Sequence, residues 1–347
     1  MDIADSLERF VAEAAVEDRF SGAVLLARGG DVLLERGYNR ACRRFGVPNE
    51  IDTRFDIASL VKMFTGVVIG RLVERGLLSF EAPVIRYLPS YPADPGSRVT
   101  IHHLLTHTSG LGGIFDGGWE AASRARFRTI GELIPYFRGR PLLFEPGTDW
   151  EYSNAGYILL GAVIEAVTEQ PYWDHLQEHT FAPTGMNNTG PYSLDEEVPR
   201  LAYAASRLDP WDNEDDKPRW NNVFRHWIVS TPAGCAYSTL QDLFRFTRAL
   251  LAGQLVGPEM LATLTSAKVA TGQRQGQGYA YGFYDDEVGD VRVFGHAGTV
   301  PGYQAWLDIY PDLGYTVIVL TNFDHPCARD VAWFVRQWLS DRDGVAC

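Results

Sequence analysis

In the segment Phe55-Asp56-Ile57-Ala58-Ser59-Leu60-Val61-Lys62-Met63-Phe64 a serine stands three residues before a lysine, the sole Ser-x-x-Lys of the chain. At the start of a helix that spacing puts both side chains on one face. A serine hydroxyl is a weak nucleophile until a neighbouring base takes its proton, and helix-terminal N–H groups can help receive an oxyanion. Lys62 can supply that base if it is desolvated, because burial disfavours an ammonium and lowers its pKa. Its neighbours Leu60, Val61, Met63 and Phe64 point to such a setting. The plain alternative is a lysine that lays its stem on the surface and keeps its charge in water. Against it stands scarcity, since only Lys62, Lys217 and Lys268 among the 31 basic residues are lysines.

Two further sites are composed for chemistry. Pro146-Gly147-Thr148-Asp149-Trp150-Glu151-Tyr152-Ser153-Asn154-Ala155-Gly156-Tyr157 reads as a loop entering a helix, with Tyr-Ser-Asn at the junction. Gly295-His296-Ala297-Gly298-Thr299 falls at the end of a predicted strand, where small residues let a substrate lie along the backbone. These three sites, in this order, resemble the serine β-lactamase and penicillin-binding-protein superfamily. The likeness is nearest to its class C β-lactamase-like branch of esterases, D-aminopeptidases and acyltransferases, and spans roughly Ser21 to Phe323. Thr100-Ile101-His102-His103-Leu104-Leu105-Thr106-His107-Thr108-Ser109-Gly110-Leu111, the Pro146-Gly147 turn and Ser230-Thr231-Pro232-Ala233-Gly234 look like that branch too.

The resemblance implies that Ser59 is acylated, that Lys62 assists its deprotonation, and that Tyr152 is a general base returning a proton to the leaving group. It implies that Asn154 orients substrate or Lys62, that His296, Gly298 and Thr299 line the substrate, and that the backbone N–H groups of Ser59 and Thr299 form the oxyanion hole. One departure bears on substrate. Where β-lactamases and DD-peptidases of the superfamily carry Lys-Thr-Gly, this chain has His296-Ala297-Gly298. A fixed ammonium for a substrate carboxylate is missing, and a histidine is readily neutral near pH 7. Ester or amide hydrolysis therefore ranks above turnover of β-lactams.

Other patterns carry less. His103/His107 and His175/His179 have the i, i+4 spacing of metal ligands, but no HExxH or third ligand accompanies them. No metal and no organic cofactor is expected, since phosphate-binding and dinucleotide fingerprints are absent as well, and so is the Gly-x-Ser-x-Gly elbow. Phe115, Trp119, Trp211, Trp220, Phe224, Trp227 and Tyr237 could line an apolar acyl pocket or simply pack the core and rim.

The elements that must position these residues follow a β–helical–β order. A short amphipathic helix, about Asp5 to Ala15, precedes a hairpin of Ser21–Ala27 and Asp31–Tyr38 joined at Gly29-Gly30. Strands are expected again over Tyr279–Tyr284, Val291–Phe294, Gln304–Tyr310 and Tyr315–Leu320, then a helix over about Ala328–Leu339. Helical patterns dominate between, at Lys62–Arg75, Ile101–His107, Gly156–Thr168 and Gln241–Leu251. The expectation is an α+β protein. Residues 1–58 plus 270–347 would build an antiparallel sheet flanked by helices, residues 59–269 a large helical insertion, and the cleft between them would take the ligand.

At 347 residues, with 46% hydrophobic and 22% charged, the chain is enzyme-sized and able to bury a core. Its net charge of −13 repels nucleic acid and anionic lipid. Cys42, Cys235, Cys327 and Cys347 show no CxxC spacing, which suggests free thiols. The acidic start Met1-Asp2-Ile3-Ala4-Asp5 lacks the look of an export signal, and no apolar run spans a bilayer. A cytoplasmic location and a small-molecule partner are expected, with no nucleic-acid or membrane partner. Three functions remain open. The first is a serine esterase or amidase, with possible acyl transfer to a non-water acceptor. The second is a β-lactamase, D-aminopeptidase or DD-peptidase, and the third a non-catalytic binding protein on the same scaffold.

Overall fold

A computed structural model describes residues 2–114, 127–193, 195–207, 218–221 and 229–343 of the chain. Among the described residues there are twelve strands: β1 (Gly22–Arg28), β2 (Asp31–Tyr38), β3 (Arg40–Cys42), β4 (Val47–Pro48), β5 (Phe55–Asp56), β6 (Tyr237–Ser238), β7 (Val269–Ala270), β8 (Gly278–Tyr279), β9 (Tyr284–Val288), β10 (Val291–Val300), β11 (Tyr303–Tyr310) and β12 (Tyr315–Thr321). Eight of them form one sheet in the order β2-β1-β12-β11-β10-β9-β8-β7, with every neighbouring pair antiparallel. The first strands therefore pair directly with the last, as Val24 opposite Val319 illustrates. β1 and β2 turn at Gly29, whose φ of +59° suits glycine.

Strands β1 and β12 are apolar almost throughout because the sheet is covered on both faces. Successive side chains point to opposite faces. Ala23 and Leu25 join Ile318 and Leu320 in a core shared with the helical part. Val24, Leu26, Val317 and Val319 join a second core under α1 (Ile3–Val16) and the C-terminal helix Cys327–Asp343. In that second layer Arg336 is buried and forks onto Asp308, with Nε and Nη2 each 2.7 Å from a carboxylate oxygen, while Nη1 reaches Asp286 at 2.7 Å.

In the middle of the chain α2 (Val61–Glu74) is buried on nearly all sides, as its largely apolar sequence requires. It packs backbone to backbone on the segment after β8. A Cβ at Gly66 would lie 2.1 Å from the Tyr281 carbonyl oxygen, and one at Gly282 would lie 2.4 Å from that of Lys62. This contact corrects the single strand expected over Tyr279–Tyr284: the chain leaves the ladder at Ala280 and turns through Gly282 at φ +90°. The strand expected to end at Phe294 instead continues to Val300, carrying His296–Thr299 within the sheet. The helix expected over Ile101–His107 stops at Leu105, and His107 has a left-handed φ of +62°.

The cysteines Cys42, Cys235 and Cys327 are buried free thiols. Phe115, Trp119, Trp211, Phe224, Trp227, Cys347 and all of the acid-rich stretch Asp209–Lys217 lie outside the described residues. Among the described residues no helix is long and apolar enough to cross a membrane.

Candidate active site

Ser59 sits in a 3-10 turn, Ala58–Leu60, that runs straight into α2. The turn is fastened from several sides. The Ala58 N–H donates to Asp56 Oδ1 at 2.7 Å, while Cys235 N–H reaches the Ala58 carbonyl at 3.3 Å and Ile57 N–H reaches that of Ala236 at 2.8 Å. Ala58 itself has φ +45°, a conformation that a residue with a side chain holds only when its surroundings impose it. Asp56 is buried beneath this turn, and burial raises its carboxyl pKa to about 7 against the pull of the Ala58 hydrogen bond.

Lys62, one helical turn on, is fully buried. Its Nζ lies 3.1 Å from Ser59 Oγ, 2.8 Å from Asn154 Oδ1 and 2.5 Å from the Ala233 carbonyl oxygen. The rings of Tyr152 and Tyr157 flank it, with centroids 4.8 and 5.4 Å from Nζ. Desolvation brings its pKa down to about 7. Two of its three partners are pure acceptors, and a neutral amine has two N–H groups and one lone pair. The lone pair is then left facing the Ser59 hydroxyl.

Asn154 opens the helix Asn154–Thr168, capped by the Ser153 hydroxyl, which accepts from Gly156 N–H at 3.2 Å. The helix start thus fixes the amide against Lys62, and the residue two before it, Tyr152, stands beside Ser59. Burial pushes the Tyr152 phenol well above its usual pKa, with Tyr284 adding to the rise and a hydrogen bond with Ser59 opposing it. Tyr152 is therefore a protonated phenol at neutral pH.

His296 lies in β10 with both ring nitrogens engaged inside the protein. Nδ1 is 2.6 Å from the Ala297 carbonyl oxygen and Nε2 is 3.0 Å from Tyr279 Oη, so Nδ1–H donates and Nε2 accepts the tyrosine proton. Burial, reinforced by Lys62, lowers its pKa to about 3. It is a neutral wall of the site. Gly298 lies against the nucleophile turn, where a Cβ would meet the Ser59 N and the Ile57 carbonyl oxygen, both at 2.7 Å. Thr299 follows, paired with Gln304 of β11.

Several groups escaped the reading of the sequence: Asp56, His107, Tyr157, Tyr279 and the Ala233 carbonyl. His107 Nδ1 accepts from Ser153 N–H at 3.1 Å, and His103 Nδ1 faces Thr100 N–H at 3.3 Å. Those contacts occupy one nitrogen of each ring. Among the described residues no group of three or more His, Cys, Asp or Glu side chains could hold a metal. Of the aromatic residues in the described part, Tyr237 is buried against Tyr303, whereas Trp220 is largely exposed.

A hydroxyl beside a buried amine of pKa about 7, with a neutral phenol and a close-packed strand at hand, is the equipment of covalent acyl transfer. Comparison with known proteins gives the family. The Beta-lactamase family model matches residues 7–340, and the chain belongs to that family. It is 32% identical to penicillin-binding protein 4* of Bacillus subtilis, over 88% of this chain and 68% of the relative. It is also 32% identical to esterase EstB of Burkholderia gladioli, over 92% and 90%. The crystal structure of a penicillin-binding protein from Bacillus halodurans superposes with a TM-score of 0.84 at 29% identity, over 94% of this chain and 98% of that one. The chain is thus an enzyme of the β-lactamase-like serine hydrolase class.

Proposed function

We propose that this enzyme cleaves a small, uncharged ester or amide through an acyl-enzyme on Ser59. The observation that carries this reading is the Lys62 amine, 3.1 Å from Ser59 Oγ and held near pKa 7 by burial. In its neutral form Lys62 takes the Ser59 proton as Oγ bonds to the substrate carbonyl carbon. The backbone N–H groups of Ser59 and Thr299 receive the oxyanion, which Gly298 allows by letting β10 lie directly on the turn. As the bond to the leaving group breaks, the Tyr152 phenol supplies that group's proton, and the proton held on Lys62 makes good the loss. Water then attacks the ester carbon by the reverse proton path, releasing the acid and free Ser59. An alcohol or amine taking the place of water would give acyl transfer.

Substrate class follows from charge. His296 is neutral and internally bonded where a cationic site would hold a carboxylate, which favours acyl groups without an acid. EstB, similar over most of both chains, is named an esterase. The test is a matched pair of esters of one acyl chain, with and without a terminal carboxylate. The proposal expects the uncharged ester to have a kcat/KM at least about tenfold higher, the penalty of an anion with no cation at the position of His296. Equal turnover of both, or turnover of the acid alone, would reject it.

A further inference from the structure

We propose that His107 is a positioning residue for Tyr152, clamping the main chain on both sides of the phenol so that it stays aimed at Ser59. This rests on the reading that Tyr152 carries the leaving-group proton. The clamp is two hydrogen bonds from one residue: the His107 carbonyl accepts from Glu151 N–H at 3.0 Å and its Nδ1 accepts from Ser153 N–H at 3.1 Å. Tyr152 is the residue between. In locally extended chain the amides of residues i−1 and i+1 point the same way, so bonding both fixes the direction in which the residue between them projects. The imidazole also lies on the phenol, with ring centroids 4.2 Å apart, and Tyr279 and Tyr157 close round it at 4.6 and 5.1 Å.

The chemistry of the ring argues against mere filling. Because Nδ1 accepts, the proton sits on Nε2, which is buried with no hydrogen-bond partner among the described residues. An unpaired buried N–H is costly, and a phenyl ring would fill the same space without that cost. Only the Nδ1 acceptor is something a phenyl ring lacks. Burial, with Lys62 and His296 nearby, keeps the ring well below the usual histidine range, so the acceptor stays available at working pH. The left-handed backbone at His107, φ +62°, turns carbonyl and ring toward the same strand of chain.

The test compares His107→Phe, His107→Asn and Tyr152→Phe on aryl and alkyl esters of a single acyl group. Asparagine carries its oxygen near the position of Nδ1; phenylalanine carries none. If the clamp aims the proton donor, His107→Phe slows acylation, read as kcat/KM, in proportion to leaving-group basicity, about tenfold or more on alkyl esters and little on the p-nitrophenyl ester, as expected of impaired acid catalysis. Tyr152→Phe shows the same gradient in kcat/KM, and His107→Asn restores most of the rate. A uniform loss across leaving groups in His107→Phe, while Tyr152→Phe keeps the gradient, would overturn the clamp and leave the Tyr152 reading standing. Absence of a gradient in Tyr152→Phe would overturn that reading and the clamp with it. If His107→Phe does not fold, His107→Gln, whose oxygen falls near the Nε2 position, takes its place: it must fail where His107→Asn succeeds.

Discussion

The pH behaviour of single residues separates chemistry from stability. Lys62 acts as a base only when unprotonated, so kcat/KM should climb with pH and level off above about 7. Lys62→Arg, which cannot lose its proton, should cost at least about 10³ in kcat/KM on the p-nitrophenyl ester. Asp56 is the opposite case. Its folded pKa, about 7, lies above the ordinary 3.8, so the folded state binds more protons between those values. Its contribution is fully present below pH 4 and is lost as pH rises through 7. Asp56→Asn keeps an acceptor for the Ala58 N–H and has nothing to ionise. By urea titration it should be more stable than the parent at pH 8, by on the order of 2–4 kcal/mol, and no more stable at pH 4. Ser59 and Lys62 were legible in the sequence because a nucleophile and its base share one helix face. Asp56 and His107 were not, because their partners are the main-chain amides of Ala58 and Ser153, which no side-chain pattern announces.

At the level of elements the site is a junction where a helix start and a strand are pressed together, and the glycines record how closely. Gly298→Ala would drive a methyl group to within 2.7 Å of the Ser59 N. It should lower kcat by about 10² or more, as loss of one oxyanion donor does, while costing about 1–3 kcal/mol of stability from overpacking; ester kinetics and a melting curve read the two separately. The same closeness explains where strand boundaries went astray. A single strand was expected over Tyr279–Tyr284, but α2 needs the space, and the chain turns through Gly282 over the Lys62 carbonyl. Helix starts read better. Tyr-Ser-Asn was expected at the entrance of a helix over Gly156–Thr168, and the helix starts two residues earlier, at Asn154, where the Ser153 cap and the contact with Lys62 fix it.

On the scale of the molecule, two cores hold one sheet, and the site belongs to only one of them. The outer layer is secured by Arg336, buried with Asp286 and Asp308. Arg336→Met leaves two carboxylates in the interior, so about 3–5 kcal/mol of stability should be lost. Because these groups lie in the layer under the C-terminal helix, kcat should be unchanged at temperatures where the variant is folded, which denaturant melts and ester kinetics at one temperature would show. Local periodicity foretold strands at both ends of the chain but not that β1 and β12 are neighbours. Residues such as Val24 and Val319 meet across almost the full length of the sequence, and no local pattern encodes that pairing. The central claim remains a covalent bond to one oxygen, and intact-mass analysis after rapid mixing with a short-chain p-nitrophenyl ester tests it most directly. The account predicts a burst of p-nitrophenol together with one acyl group added to the native protein, mapped to Ser59, and neither signal in Ser59→Ala. The same burst and adduct in Ser59→Ala, or an adduct mapped to another residue, would contradict it.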